Sequence, residues 1–292
     1  DDLEISQSIA IEHELTFEID GSLNATKSSR GADFKGNDLI HVQPYYARIY
    51  NVPTLTIKGE GTLNTNGLAD RAITIHAWYR PIQYYQGRPV NYATTGMTLN
   101  LDGVTINANT NGIYCDNDYN FINLTNGAQI NLNNSDGYAI LGDVGTLNMS
   151  GSSIISGNYK NAVNMTTGSY YTQVNMSEFS KITGTATGNV IETPSKSTLN
   201  MSGNSAIDVK LSVDNTDLAI MNPDNATITL NDNAKINANI TNVTSSTSAT
   251  ISGISATNSS KITLNGSSNS INIASEGLKD SSAKAYAINL DN

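Results

Sequence analysis

The sequence predicts an all-β protein, a parallel β-helix of about 10 to 11 coils with long N-terminal loops. Three observations support this fold class: a composition poor in helix formers, a degenerate internal repeat, and a second short apolar segment within most repeats. Of the 292 residues, 39 are Asn and only 14% are charged. Because Asn and Gly are unfavourable in helices, this composition excludes an all-helical fold.

The repeat unit consists of two apolar residues around one polar residue, then a turn of Gly, Asn and Ser, and then an apolar residue. From Leu99 onward, successive copies start 23 to 34 residues apart. Alternation at period two, bounded by turn-forming residues, predicts a β-strand. The copies start at Leu99, Ile122, Leu147, Val174, Leu199, Ile228 and Ile262, and earlier copies are expected at Leu15 and Leu55.

A second short apolar segment lies about halfway through most units. Two or three short strands in about 25 residues fit one coil of a β-helix, whereas a propeller blade needs roughly 40 residues. Since a single coil cannot bury its apolar residues alone, stacked coils must share one core. We therefore predict one domain over residues 1–292, loop-rich at 1–95 and regular at 96–292. The second segments start at Gly112, Gly137, Asn161, Gly188 and Leu218.

The polar residue of each unit is expected to face outward, because neighbouring positions of a strand point to opposite sides. In the copy at Leu147, Met149 would share the inward side and Asn148 would face solvent. Equivalent Asn residues would form a ladder, either as structural amide stacking or as a groove that binds sugar hydroxyls. The predicted ladder consists of Asn100, Asn123, Asn148, Asn175 and Asn200.

The N-terminal third differs in composition, because all five Arg, all three His and Trp78 lie within the first 92 residues. The repeat spacing there stretches to about 40 residues, which predicts long loops, and loops of that length are often functional. Aligning residues 38–46 with 71–79 and 111–119 stacks several rings along one edge. The same alignment places Asp143 level with Asp118.

Aromatic faces flanked by Arg and Asp are the chemistry of sugar recognition, although such residues also suit capping of the open end of the solenoid. We predict ligand contacts along this edge and along the Asn ladder. The contacts predicted along the edge are Tyr45, Tyr46, Arg48, Arg71, Trp78, Tyr79, Arg80, Tyr84, Tyr85, Arg88, Asp118 and Tyr119.

Asp116, Asp118 and Asp143 are the candidate catalytic residues if the protein is an enzyme, since two carboxylates suffice for glycoside hydrolysis. Alternatives are Ca²⁺ binding by the run at Asp116 and an ordinary role as turn residues. We expect no cofactor and no resident metal, because the three His lack ligand spacing. The single Cys115 cannot form an internal disulfide.

Charge also limits the partners. The net charge is −10 and the pI is about 4.6, so we expect no binding to nucleic acid, which requires a basic surface. The same net charge would repel an acidic polysaccharide at long range, although clustered Arg could compensate locally.

The copies LNMSGSSI, VNMSEFSKI and LNMSGNSAI resemble coils of bacterial autotransporter passenger domains of the pectate-lyase-like type, which implies a right-handed parallel β-helix. The resemblance extends from about Leu55 to the end and is carried by repeat style and composition. It implies an exported protein at the bacterial cell surface, with its signal and membrane barrel outside this chain. It also implies an adhesin that binds a host polysaccharide such as a glycosaminoglycan, or a matrix protein such as fibronectin.

Two alternatives to the adhesin stay open. One is a polysaccharide hydrolase or lyase on a β-helix, but the chain lacks the Gly-His-Gly and Arg-Ile-Lys motifs of polygalacturonase-like enzymes. It also reads Arg80-Pro81 and Arg88-Pro89 where pectate lyases have an Arg-x-Pro-x-x-Arg motif. The other is a structural stalk that self-associates through its Asn ladder.

Overall fold

The structure is a computed structural model that describes residues 2–6, 8–11, 14–26, 38–42, 54–76, 84–85, 88–89, 96–165, 171–214, 216–244, 246–275, 278 and 281–291. For residues 84–85, 88–89, 117–119 and 291 the description covers the backbone alone. This part of the chain contains 29 strands and no α-helix.

The strands are short, and most have three to eight residues. In chain order they are β1 (Leu3–Ile5), β2 (Ile9–Ile11), β3 (Leu15–Glu18), β4 (Ser22–Ala25), β5 (Asp38–Val42), β6 (Thr54–Lys58), β7 (Thr62–Asn64), β8 (Arg71–His76), β9 (Tyr84–Tyr85), β10 (Arg88–Pro89), β11 (Thr98–Asp102), β12 (Thr105–Ala108), β13 (Asn111–Thr125), β14 (Gln129–Asn133), β15 (Tyr138–Met149), β16 (Ile154–Tyr159), β17 (Asn161–Asn164), β18 (Gln173–Met176), β19 (Lys181–Ala186), β20 (Ile191–Glu192), β21 (Thr198–Met201), β22 (Ala206–Ser212), β23 (Leu218–Met221), β24 (Thr227–Leu230), β25 (Lys235–Thr241), β26 (Thr250–Thr257), β27 (Lys261–Leu264), β28 (Ser270–Ala274) and β29 (Lys284–Asp291).

Apart from the antiparallel pair β9–β10, equivalent strands of successive coils pair in parallel, which gives three columns. The ladder column contains β3, β6, β11, the ends of β13 and β15, β18, β21, β24 and β27. The second column contains β1, β4, β7, β12, β14, β16, β19, β22, β25 and β28. The third column contains β2, β5, β8, the starts of β13 and β15, β17, β20, β23, β26 and β29. The protein is thus a right-handed parallel β-helix, and the ten strands of the second column agree with the predicted number of coils.

Every predicted repeat copy starts at the same register position of the ladder column. The first residue of each copy pairs with the first residue of the next, from Leu15 with Leu55 to Ile228 with Ile262. The interior copies begin with buried residues, whereas Leu15 in the first copy is 39% exposed. The difference follows from stacking, because a terminal coil has a neighbour on only one side.

The turn after each ladder strand explains why the repeat contains Gly and Asn. Gly103, Asn126, Gly151, Glu178 and Asp232 occupy equivalent positions and all have left-handed φ values, between 51° and 79°. Gly and Asn adopt this conformation easily, whereas a Glu rarely does. At Glu178 the carboxylate compensates in part, since its Oε2 accepts a hydrogen bond of 2.6 Å from the Gly151 amide.

A row of small buried residues precedes the strands of the second column. Ser153, Ser180 and Ser205 lie in this row, and each hydroxyl is buried without a hydrogen-bond partner. Ala128 and Ala234 hold the equivalent positions in the flanking coils and are also buried. The two alanines show that this buried position does not need a hydroxyl group.

We predict that Ser180→Ala raises the free energy of unfolding by about 1–2 kcal/mol, because an unsatisfied buried hydroxyl costs roughly that much. Chemical denaturation of the wild-type and variant chains measures the difference. Ser202→Ala, at a half-buried outward position, serves as the control and should change stability by less than about 0.5 kcal/mol. A Ser180→Ala protein less stable than wild type would show that the hydroxyl has a role in the fold.

Candidate ligand-binding site

Two histidine–aspartate pairs lie close together on the third column. In β5, the Nδ1 atom of His41 is 2.9 Å from Oδ2 of Asp38, and both side chains are buried. The Nδ1 atom of His76, at the end of β8, is 2.8 Å from Oδ2 of Asp116 in β13, and both side chains are partly exposed. The two imidazole rings stack with centroids 6.4 Å apart. Each carboxylate fixes the orientation of one imidazole ring.

An arginine–tyrosine stack adjoins these pairs. The Cζ atom of Arg71 lies 3.9 Å from the centroid of the Tyr114 ring, and its Nη1 lies 4.0 Å from Oδ1 of Asp38. Burial raises the pKa of Tyr114, the negative charge of Asp116 raises it further, and Arg71 opposes the shift. The hydroxyl of Tyr114 therefore stays protonated at neutral pH and can donate a hydrogen bond. We call the six residues Asp38, His41, Arg71, His76, Tyr114 and Asp116 the edge cluster.

Strand register explains how distant parts of the sequence form the edge cluster. Ile40, Ile73 and Ile113 pair in sequence and point into the core. The next residue in each strand follows the same pairing, which places His41 and Tyr114 on one row. His76 pairs directly with Asp116. Asp38 and Asp116 are 78 residues apart in the sequence, yet they lie within three adjacent coils.

Asp143 lies beside the edge cluster, but not in the predicted register. Gly142 pairs with Cys115 and Val144 pairs with Asn120. Asp143 therefore lies opposite a bulge of residues 116–119, which includes Asp118, and pairs with no single residue of it. Burial raises the pKa of the Cys115 thiol, and Asp143 adds to the shift, so the thiol stays protonated.

The structure describes only some of the predicted edge residues. Arg71 belongs to the edge cluster. Tyr84, Tyr85 and Arg88 lie in β9 and β10, and Asp118 and Tyr119 lie in β13, all described by backbone alone. The remaining predicted contacts lie outside the described residues, namely Tyr45, Tyr46, Arg48, Trp78, Tyr79 and Arg80.

The predicted Asn ladder is present, and its amides form a continuous hydrogen-bonded row. Each Nδ2 donates to the Oδ1 of the preceding coil, at 2.7 Å from Asn123 to Asn100 and 2.8 Å from Asn148 to Asn123. The bonds from Asn175 to Asn148 and from Asn200 to Asn175 measure 2.9 Å. Asn100 continues the row by donating to Oγ1 of Thr56 at 3.1 Å.

A second amide ladder, on the second column, was not predicted from the sequence. Asn64 donates to Asn24 and Asn107 donates to Asn64, both at 2.7 Å. Asn131 donates to Asn107 at 3.0 Å, and the Ser156 hydroxyl donates to Asn131 at 2.6 Å. Amide ladders are therefore a property of two faces of this β-helix, which shows that each stabilises its own stack.

Sequence reasoning also missed Asp38, His41 and His76 as members of a site. The available signal was the alignment of residues 38–46 with 71–79, which the structure confirms over the described residues 38–42, where Asp38 pairs with Arg71. The three His have no metal-ligand spacing along the chain, so the sequence did not mark them as a site. Within the described part of the chain, no group of three or more His, Cys, Asp or Glu is arranged to hold a metal ion.

Fold and surface define this chain as a β-helix with two amide ladders and one cluster of charged and aromatic residues. No protein-family model, curated protein or solved structure matches the chain. Among the residues that the structure describes, no helix is long and apolar enough to cross a membrane.

We predict that His41→Leu destabilises the fold by about 3 kcal/mol, because it leaves the buried Asp38 carboxylate without its imidazole partner. The double variant Asp38→Leu/His41→Leu should be more stable than His41→Leu, since it removes the buried charge as well. Urea denaturation of the four proteins in this double-mutant cycle measures the coupling. Additive losses in the two single variants would contradict a direct pair.

Proposed function

We propose that the protein is a bacterial surface adhesin, the passenger of an autotransporter, and that it binds polysaccharide through the edge cluster. One observation carries the binding proposal: charged and aromatic side chains gather on three coils, with Arg71, His76 and Asp116 partly exposed, in a chain that is only 14% charged. Such concentration is typical of binding sites, which combine a few converging polar groups with aromatic surface.

The chemistry of the edge cluster suits sugar hydroxyls. The Arg71–Tyr114 stack holds a planar guanidinium with several N–H donors, and the partly exposed Asp116 supplies carboxylate acceptors. A hydroxyl both donates and accepts, so it can bridge groups of these two kinds. Hydrogen bonds to charged groups are also stronger than neutral ones.

The charge balance of the edge cluster bears on which sugar it would bind. Arg71 is matched by Asp38, and Asp116 adds a negative charge beside His76. The cluster therefore has no excess positive charge with which to attract an anionic polymer. This balance supports a neutral glycan over a glycosaminoglycan, the acidic ligand expected from the sequence. A matrix protein such as fibronectin remains an alternative partner.

The surface location rests on the repeat style and on the physical form of the fold. Ten stacked coils make a rod roughly 45–50 Å long, at the spacing of paired strands. A rod of this kind presents its outer faces along its whole length, which suits a displayed binding module. The alternative of a self-associating stalk would use the same faces, and settling of cells that display the protein would reveal it.

Catalysis is the second candidate function, and a specific observation favours it. His76 is oriented by Asp116 at 2.8 Å, and Asp143 lies in the next coil. A histidine held by a carboxylate beside a second carboxylate is a possible acid–base arrangement for cleaving a polysaccharide. Release of soluble fragments from an immobilised polysaccharide would support this function, and retained binding without fragments would support the adhesin.

We predict that the purified chain binds selected glycans on a broad array, and that Asp116→Asn and His76→Gln each weaken binding at least about tenfold. Both substitutions remove hydrogen-bonding or charged groups at partly exposed positions, so the fold should persist. Asp208→Asn, on the exposed face of β22, makes the same chemical change outside the cluster and should leave binding unchanged. An array without signal at high protein concentration would contradict glycan binding and favour a protein ligand or self-association.

A further inference from the structure

The outer face of the ladder column is a regular lattice of hydrogen-bonding groups. Three outward residues of each strand lie two positions apart, and equivalent residues of successive coils lie about 4.8 Å apart. The Asn ladder is the middle row. Most residues of the two flanking rows carry hydroxyl groups, and their side chains are half-buried. One row contains Thr98, Thr146 and Thr198, and the other contains Ser150, Ser177 and Ser202.

The ladder itself uses only half of the hydrogen-bonding capacity of each interior amide. A primary amide has two N–H donors and two acceptor lone pairs. Asn148 donates once, to Asn123, and accepts once, from Asn175. One donor and one acceptor per coil are therefore not used within the ladder. The group that complements such a pair is a hydroxyl, which can accept and donate at the same time.

Phe121 interrupts the hydroxyl row between Thr98 and Thr146. Its side chain points outward and is 37% exposed, next to Asn123 of the ladder. An exposed ring in a polar lattice has no packing role in the core. It offers the flat apolar surface on which the C–H face of a sugar ring can stack.

The lattice is almost uncharged. From β11 to β21 its three rows contain one ionisable side chain, Asp102. An anionic polymer would therefore find no counter-charge in these rows, and the net charge of −10 would oppose its approach. The second column differs, because Lys181, Asp208 and Lys210 interrupt its outer face.

We propose that the ladder face from β11 to β21 binds an uncharged, hydroxyl-rich polysaccharide chain. A sugar ring stacks on Phe121, and hydroxyls of the chain exchange hydrogen bonds with the amides of Asn123 and Asn148. This inference rests on the proposed function, glycan binding, and adds a second face and a ligand class. Binding at this face depends on hydrogen bonds and ring stacking, so it is insensitive to salt.

The test measures binding of fluorescently labelled cellohexaose and mannohexaose to the whole chain by fluorescence polarisation, at about 50 and 500 mM NaCl. A heparin hexasaccharide is the anionic probe. We expect at least one neutral probe to bind with a Kd that salt changes less than about twofold. Phe121→Ala should weaken that binding at least about tenfold and Asn148→Ala about threefold or more.

The chain supplies a matched control for each variant. Phe179→Ala removes another exposed ring, 61% exposed and outside the three rows. Asn131→Ala breaks two ladder hydrogen bonds, as Asn148→Ala does, but on the second column. Both controls should bind the neutral probe within about twofold of wild type.

Three outcomes would overturn the inference. In the first, Phe121→Ala and Phe179→Ala weaken binding equally. In the second, a neutral probe binds, but Asp116→Asn and His76→Gln weaken that binding and Phe121→Ala does not; glycan binding at the edge cluster then stands while the assignment of the ladder face fails. In the third, no glycan binds at all, and the proposed function fails with it.

Discussion

Parallel pairing of each coil with the next is the constraint on which this structure depends. Because successive coils lie at the spacing of paired strands, every residue has a nearest neighbour at the same position one coil away. A coil cannot change its shape at one place without disturbing both neighbours. Leu55 and Leu99 show the result in the core, where copies 44 residues apart pair directly and both are buried.

The same constraint governs the outer faces. Outward side chains at one register position meet like neighbours, and a column of like charges would be unfavourable. The protein meets this condition in two ways. Asn residues hydrogen-bond to one another in the ladders. Two ion pairs also join neighbouring coils, His76 with Asp116 and Arg71 with Asp38.

The sequence predicted the features that repeat and missed those that depart from the repeat. The strands at Leu15 and Ile262 could be placed because alternation of apolar and polar residues survives in every copy. The Asn ladder followed from the same alternation. The second ladder was missed although its strands also alternate: Asn64 and Asn107 lie in the short segments Thr-Leu-Asn and Thr-Ile-Asn, outside the repeat copies defined from the sequence.

The site was harder to predict for a related reason. His41 and Asp116 belong to coils separated by segments of unequal length. The spacing of the repeat therefore does not predict that these two residues lie near each other. Asp143 faces a bulge of residues 116–119, and a bulge in one strand of a pair cannot be predicted from the alternation of the sequence. Only the three-dimensional pairing reveals which polar residues are neighbours.

Recognition in this protein must therefore come from residues that break the repeat. An amide ladder occurs on two columns, so its hydrogen bonds serve the stacking of coils wherever they occur. Such a row presents the same amide groups at every coil, so it cannot by itself hold a ligand at one particular coil. Phe121 occurs at one coil of the ladder face, and the edge cluster occurs on three coils of the third column. Each can therefore fix the place at which a ligand binds. A uniform solenoid supplies a rigid frame, and a few exceptional side chains supply the place where a ligand is held.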